Sequence, residues 1–464
     1  MNCVFDKDIH NLTIAYIGGG SRGWAWGFMK DIAMDAEMCG TVRLYDIDRE
    51  AARRNQQIGA MISAHPEAKS PWKYEVADSL KDALTGADFV VISILPGTFD
   101  EMESDVHAPE KYGIYQSVGD SIGLGGFMRA MRTLPMFVEI AEAIRDYAPE
   151  AWVINYTNPM TLCMRTLYEV FPKVKAFGCC HEVFGTQKLL CSMLESECGI
   201  KGVDRHELYT TVTGINHFTW LTKATYKGMD LMPLYRKFAE KHWAEGYDEG
   251  GDDNWLNSFF KSCQRVKFDL FLKYGYIAAA GDRHLAEFMP KWYLRDPKSV
   301  HGWKFSLTTV KWRKEDLKRR LQRSDDILSG REKLEMKASG EEGHLMIKAL
   351  LGMEPIVTNV NMRNEGQIPN LPIGAVVETN AYFTRDSIEP ISAGPMPENL
   401  LGLIAPHVLN QENTLKAALT CDRELAFTTF MNDPQMTLDA ETGKKLFDEM
   451  LEAQRKYLPA KWFE

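Results

Sequence analysis

The stretch "FGCCHEVFG", residues 177–185, sets two adjacent cysteines beside a histidine and a glutamate among apolar and small residues. A thiolate and an imidazole can share a metal ion, and an imidazole can move protons near neutral pH. Cys180 and His181 are therefore candidates for metal binding or proton transfer, and Cys179 for packing. A second chemistry stands near the start of the chain, where "LTIAYIGGGSRG" places Gly18, Gly20 and Gly23 in the spacing G-x-G-x-x-G, with Ser21 in the same loop. The first glycine permits a tight turn, the second lets a pyrophosphate approach the backbone, and the third allows close helix–strand packing. The following helix would turn its N-terminus to the phosphates. "TVRLYDID" then puts Asp46 where an acid binds the adenosine ribose hydroxyls, which favours NAD over NADP.

These groups need elements to hold them. "LTIAYI", "TVRLYDID", "ADFVVISILPG" and "EAWVINYTNPM" read as four successive strands, and "VKAFG" as a further apolar run. They alternate with helical stretches such as "WAWGFMKDIAM", "AARRNQQIGAMISAH" and "RTLPMFVEIAEAIRDY". That rhythm predicts an α/β fold, a Rossmann-type doubly wound parallel sheet with helices on both faces. Ligands in such folds sit beyond the carboxyl ends of the strands. Pro96, Asn155 and the Cys180-His181 pair all fall there, with Pro96 and Asn155 expected on the cofactor side.

The chain of 464 residues is too long for one ordinary core. The expected division is a dinucleotide-binding domain over 1–203 and an α+β domain over 204–464 for substrate, metal and oligomer contacts. A net charge of −10 argues against nucleic acid or an anionic membrane as the main partner. The basic run "WRKEDLKRRLQR" is interleaved with acids and reads as a solvated helix face, and the acidic "EGYDEGGDDNW" as a solvated loop. No apolar run is long enough to span a bilayer, and "MNCVFDKDIHN" lacks the apolar centre of a signal peptide. Nine cysteines without regular spacing suggest free thiols in a reducing cytoplasm.

The ordered set "QSVGDSIGLGGFMRAMRTLP", "NYTNP", "CHEV", "GINHFTW", "GDRHLAEF" and "NVNMRNEGQIPNLPIGAVVE" resembles glycoside hydrolase family 4. That family holds NAD- and divalent-metal-dependent glycosidases distantly similar in fold to lactate and malate dehydrogenases. The resemblance runs nearly end to end and is most marked from Leu12 to Trp220. Within the family the residues after the metal-binding cysteine track the substrate. The pattern Cys-His-Glu-Val, here Cys180 to Val183, is associated with α-galacturonidases. Asp282 stands where the phosphoglycosidases present a tyrosine, and Leu124 where many members have proline.

The resemblance implies a redox route to hydrolysis instead of the usual carboxylate pair. NAD oxidises the sugar at C3, a base removes the C2 proton, the C1 substituent is eliminated, water adds, and C3 is re-reduced. By the same resemblance Cys180 and His217 hold the metal, Mn2+, although a thiolate with an imidazole would by softness suggest zinc or iron. Asp282 would be the base, its alternative being a helix N-cap. His181 is the leading acid and Asp120 the second. Asn158 would bind sugar hydroxyls, Glu182 an axial hydroxyl or an arginine, and Arg283 the C6 carboxylate. A homodimer or homotetramer is expected. The alternatives are an α-glucuronidase or neutral-sugar α-glycosidase, a 2-hydroxy acid dehydrogenase, and a non-enzymatic NAD-binding redox sensor. The last two leave the Cys180-His217 pair or Asp282 without a use.

Overall fold

The computed structural model describes residues 9–250 and 254–464. The stretch read for a signal peptide therefore lies largely outside the described residues, as do three positions of the acidic loop. Thirteen strands occur among the described residues: β1 (Leu12–Ile17), β2 (Gly40–Tyr45), β3 (Trp72–Val76), β4 (Phe89–Ile92), β5 (Trp152–Asn155), β6 (Lys175–Gly178), β7 (Leu208–Ile215), β8 (Phe218–Tyr226), β9 (Met229–Asp230), β10 (Ile277–Ala278), β11 (Ile356–Arg363), β12 (Val376–Thr384) and β13 (Ser387–Pro390). Nine of them form one sheet in the order β13-β12-β11-β6-β5-β4-β1-β2-β3.

From β6 to β3 the pairing is parallel, as the alternation of strands and helices requires. β4 and β5 are buried at every position, the pattern of strands covered on both faces. β1 lies between β2 and β4, so the winding reverses there and a crevice opens at the carboxyl ends of β1 and β4. β3 is a strand that the sequence pattern did not announce. "WKYEV" alternates buried and exposed residues at the sheet's outer edge, and its polar positions hide it from a search for apolar runs.

The large sheet draws strands from both sides of the division expected between residues 203 and 204. β11, β12 and β13 come from the second half and extend the first-half sheet antiparallel from β6. The helix Gly343–Leu350 packs Met346 and Ile347 into the same core as Ile14, Tyr16 and Phe177. The remaining strands, β7 to β10, form a small antiparallel sheet. It is tied to the large one where Val212 N–H donates to Asn380 Oδ1 at 2.9 Å. No helix among the described residues is long and apolar enough to cross a membrane.

Candidate active site

The glycine loop follows β1 into the crevice. Gly18 has φ +93°, and a Cβ there would lie 2.0 Å from the Ser93 carbonyl oxygen beyond β4, so only glycine fits. Gly20 N–H donates to Asp46 Oδ2 at 2.8 Å, which ties the loop to the end of β2. The third glycine does something other than expected: a Cβ on Gly23 would meet the guanidinium of Arg320, at 2.6 Å, and no strand. It is Gly19 that lies against β2, with Leu44 Cβ 2.7 Å from where its own Cβ would be. Gly23 is also the N-cap of the helix Trp24–Met34, and no side chain caps that end. Its amides are therefore available to an anion.

Asn55, unmarked in the sequence, holds this loop. Its Nδ2 donates to the carbonyls of Gly19 at 2.7 Å and Ser21 at 2.8 Å, and its Oδ1 accepts from Trp26 Nε1 at 2.7 Å. Asn155 is one of the residues expected on the cofactor side. Its side chain is buried and used within its own turn, accepting from Thr157 N–H and donating to Thr157 O, so it shapes the "NYTNP" segment. Pro96 is buried, and its carbonyl accepts from Arg132 Nε at 2.9 Å.

Deeper along the strand ends, Asp120, His217 and His284 converge with ligand-type atoms within 4.8 Å of one another. His217 occupies the tight turn between β7 and β8 at φ +63°, a left-handed conformation that costs a non-glycine residue about 1–3 kcal/mol. The turn aims its ring at His284, with centroids 3.9 Å apart. Ser121 Oγ donates to Asp120 Oδ1 at 2.8 Å and contacts His217 Nδ1 at 3.0 Å. A hydroxyl has one proton, so Nδ1 must carry the hydrogen of the second contact and Nε2 keeps its lone pair. His284 Nδ1 is buried without a partner among the described residues.

Charge reinforces this arrangement. Burial alone would raise the Asp120 carboxyl, but the guanidinium groups of Arg129 and Arg313 oppose it, and the carboxyl is held at about 2. Burial pushes His284 down to about 3 and lowers His217 as well. An ionised carboxylate with two neutral imidazoles is the state a divalent cation needs. It also removes Asp120 as an acid, because a carboxyl held that low has no proton to give at neutral pH.

His284 and Glu287 were not anticipated. They stand three apart on the helix Asp282–Phe288, the spacing that puts two side chains on one face. Glu287 accepts from Val118 N–H at 2.7 Å and Gly119 N–H at 2.9 Å, and so positions the turn that carries Asp120. The helix Val310–Leu328 is likewise more than a solvated face. Arg313 turns inward near Asp120 and donates to Val118 O at 3.3 Å.

Cys180 lies outside the set of three. Burial pushes its thiol well up, with Glu378 and Glu182 adding to the effect, while the Asn216 side chain bonds to it. Glu182 opens the helix Glu182–Cys198, accepts from Gly281 N–H at 2.7 Å and stands 3.6 Å from His284 Nε2. Against its burial, the charged His181 and the bond from Gly281 N–H help to hold its carboxyl well below the usual range. His181 is half exposed and pairs Nδ1 with Glu341 at 2.6 Å. Burial opposes that charge, but Glu341 carries the imidazole up to about 9.

Asp282 is fully buried and does not cap its own helix, whose N-cap is Gly281. Its carboxylate instead accepts from Val266 and Lys267 N–H at the start of the helix Arg265–Tyr274. Burial raises it to about 6 despite Lys267. Asn158 Oδ1 is buried with no partner among the described residues, as an atom awaiting a ligand hydroxyl would be. Arg283 donates Nη1 to Thr308 Oγ1 at 2.7 Å and lies 4.9 Å from the Phe260 ring centre. A cleft of about 360 Å³ opens beside Glu182 and Gly281, the residue before Asp282, and its wall also includes His181, Asp248 and Glu249. The described part of the acidic loop thus faces the cleft.

Residues 13–196 match the description Family 4 glycosyl hydrolase, and residues 212–436 match its C-terminal domain. The chain is a family 4 glycosyl hydrolase. This hydrolase is 60% identical over 454 residues to the alpha-galacturonidase of Thermoanaerobacterium saccharolyticum, covering 98% of each chain. The crystal structure of lplD from Bacillus subtilis superposes on the hydrolase with a TM-score of 0.91 at 51% identity, covering 95% of this chain and 100% of that one. A 6-phospho-alpha-glucosidase from gut microorganisms, solved with NAD and Mn2+, shares the fold at a TM-score of 0.80 and 19% identity, over 97% and 99% of the two chains.

Proposed function

We propose that the chain hydrolyses α-galacturonides, with NAD and a divalent metal such as Mn2+ as cofactors. The observation that carries this reading is the 60% identity to an alpha-galacturonidase over 98% of both chains. The cleft volume suits a small sugar. Gly18, Gly20, Ser21, Gly23, Asp46 and Pro96 would hold NAD, on the support of the loop geometry and the uncapped helix end. Asp120, His217 and His284 would hold the metal. Their oxygen and nitrogen donors suit Mn2+ better than a thiolate does, and Cys180 would join them as a further ligand. When bound, NAD supplies reversible oxidation of a sugar carbinol and the metal supplies Lewis-acid polarisation of sugar oxygens.

The chain's own groups do the rest. Asn158 Oδ1 receives a sugar hydroxyl and orients the ring. Asp282, raised to about 6, is ionised yet basic at neutral pH, as a group that removes a carbon-bound proton should be. His181, kept protonated by Glu341, donates a proton to the departing oxygen at the cleft mouth. We place the reaction in the cytoplasm, which the eight free cysteines among the described residues support. Assembly as a homodimer or homotetramer is supported by the exposed cross-strand pair Val357 and Tyr382. A panel of chromogenic α-glycosides with NAD+, Mn2+ and a thiol tests the function. The galacturonide should be cleaved fastest, and a faster neutral or phosphorylated glycoside would refute the assignment.

A further inference from the structure

Three lysines line the cleft, and Lys188 and Lys261 are exposed to solvent. The third, Lys267, is only 2% exposed. It sits in the first turn of the helix Arg265–Tyr274, where the chain crosses behind Asp282. Its Nζ donates to Thr186 Oγ1 at 2.9 Å. An ammonium has three donors, and this bond uses one. Among the described residues no carboxylate lies within 4.0 Å of that Nζ; burial lowers the ammonium's pKa, and the charges of Asp282, Glu249 and Glu182 only partly oppose it. Asp282 has its oxygens turned to backbone N–H groups, and Glu182 has one on Gly281. A buried cation with free N–H groups on a cleft wall is costly unless an anion completes it.

Arg283, the residue expected to bind a carboxylate, is placed differently. One arm of its guanidinium is held by Thr308, it lies against Phe260, and Phe260 forms the cleft wall at that point. We propose that Lys267, oriented by Thr186, binds the C6 carboxylate of the hexuronide and is the residue that separates uronides from neutral sugars. The proposal rests on the galacturonidase reading and names its specificity determinant. Glu182 then has a use that does not set it against an anionic substrate. Anchored by Gly281, it helps keep Lys267 charged while the substrate carboxylate meets the ammonium.

The test compares wild type, Lys267→Met and Arg283→Met, each first shown to be folded by circular dichroism and thermal melting. The readouts are kcat/KM for aryl α-galacturonide and aryl α-galactoside, and calorimetric affinities for galacturonate and galactose. In Lys267→Met the galacturonide-to-galactoside ratio should fall about 100-fold, mostly through KM, and the galacturonate-to-galactose affinity ratio should fall alike. Arg283→Met should change both ratios less. If Lys267→Met does not fold, Thr186→Val keeps the ammonium but removes its partner, and should lower the same ratios about tenfold. Ratios preserved in the folded lysine variant, or in Thr186→Val in its place, overturn the assignment and leave Lys267 as a counter-charge to Asp282. A wild type that prefers a neutral sugar would overturn the galacturonidase reading itself, a different result from preserved ratios.

Discussion

Asn55 offers the sharpest test of how the fold prepares the glycine loop for the NAD proposed to bind there. Replacing it with alanine removes three hydrogen bonds, of 2.7, 2.8 and 2.7 Å, to Gly19, Ser21 and Trp26, the first and last of them buried. At about 0.5–1.5 kcal/mol each, their loss amounts to about 3 kcal/mol. Part of this appears as lower global stability. The rest appears as disorder in the loop, since the two carbonyls are no longer drawn back toward the helix Arg49–Ser63 and the amides lose their outward aim. If about 1.4 kcal/mol of reordering must accompany binding, NAD+ affinity falls about tenfold. Calorimetric titration with NAD+ reads the affinity and a circular dichroism melt reads the stability. Asn55→Asp is the informative control. It keeps the acceptor for Trp26 but sets an oxygen against two carbonyls, and should bind no better than the alanine variant. An alanine variant with unchanged melting temperature and NAD+ affinity within twofold of wild type would show that the loop holds its shape without Asn55.

Gly18→Ala should abolish measurable NAD+ binding, because its methyl would overlap the Ser93 carbonyl at a positive φ; retained affinity would mean the crevice is not the cofactor site. Asp120→Asn, His217→Ala and His284→Ala should each weaken Mn2+ binding in an electron paramagnetic resonance titration, and Ser121→Ala should do so by about 10–100-fold through the tautomer of His217. Wild-type affinity in Asp120→Asn and His284→Ala would dismantle the three-residue set, and Cys180→Ser in the same series measures whether the thiolate contributes. Turnover in D2O should leave deuterium at C2 of the released sugar, and protium retained there would refute proton abstraction. Asp282→Asn should slow that exchange more than it weakens NAD+ binding; equal losses would make its carboxylate only a cap for the helix Arg265–Tyr274.

What the sequence determined by itself is what local pattern encodes. Apolar runs that alternate with helical periods define β1, β2, β4, β5 and β6, and the glycine spacing marks the loop that enters the crevice after β1, because turn geometry and strand period are properties of adjacent residues. "CHEV" at the end of β6 was legible for the same reason, strand ends being where such folds place ligands. Tertiary structure alone decided the rest. Asp120, His217 and His284 come from three separate stretches, and only the turn after β7 and the helix after β10 bring their atoms together. Nothing in its neighbours could reveal that Asn155 turns inward while Asn158 keeps a free oxygen, since side-chain direction is set by the packing around the turn. The addition of β11 to β13 to the first-half sheet was hidden likewise, because pairing between distant strands leaves no trace in spacing. Lys267 carries no signal in the sequence that sets it apart from the other lysines. Its worth as a cation depends on burial against Thr186 and on the cleft wall it forms, and both exist only once the chain has folded.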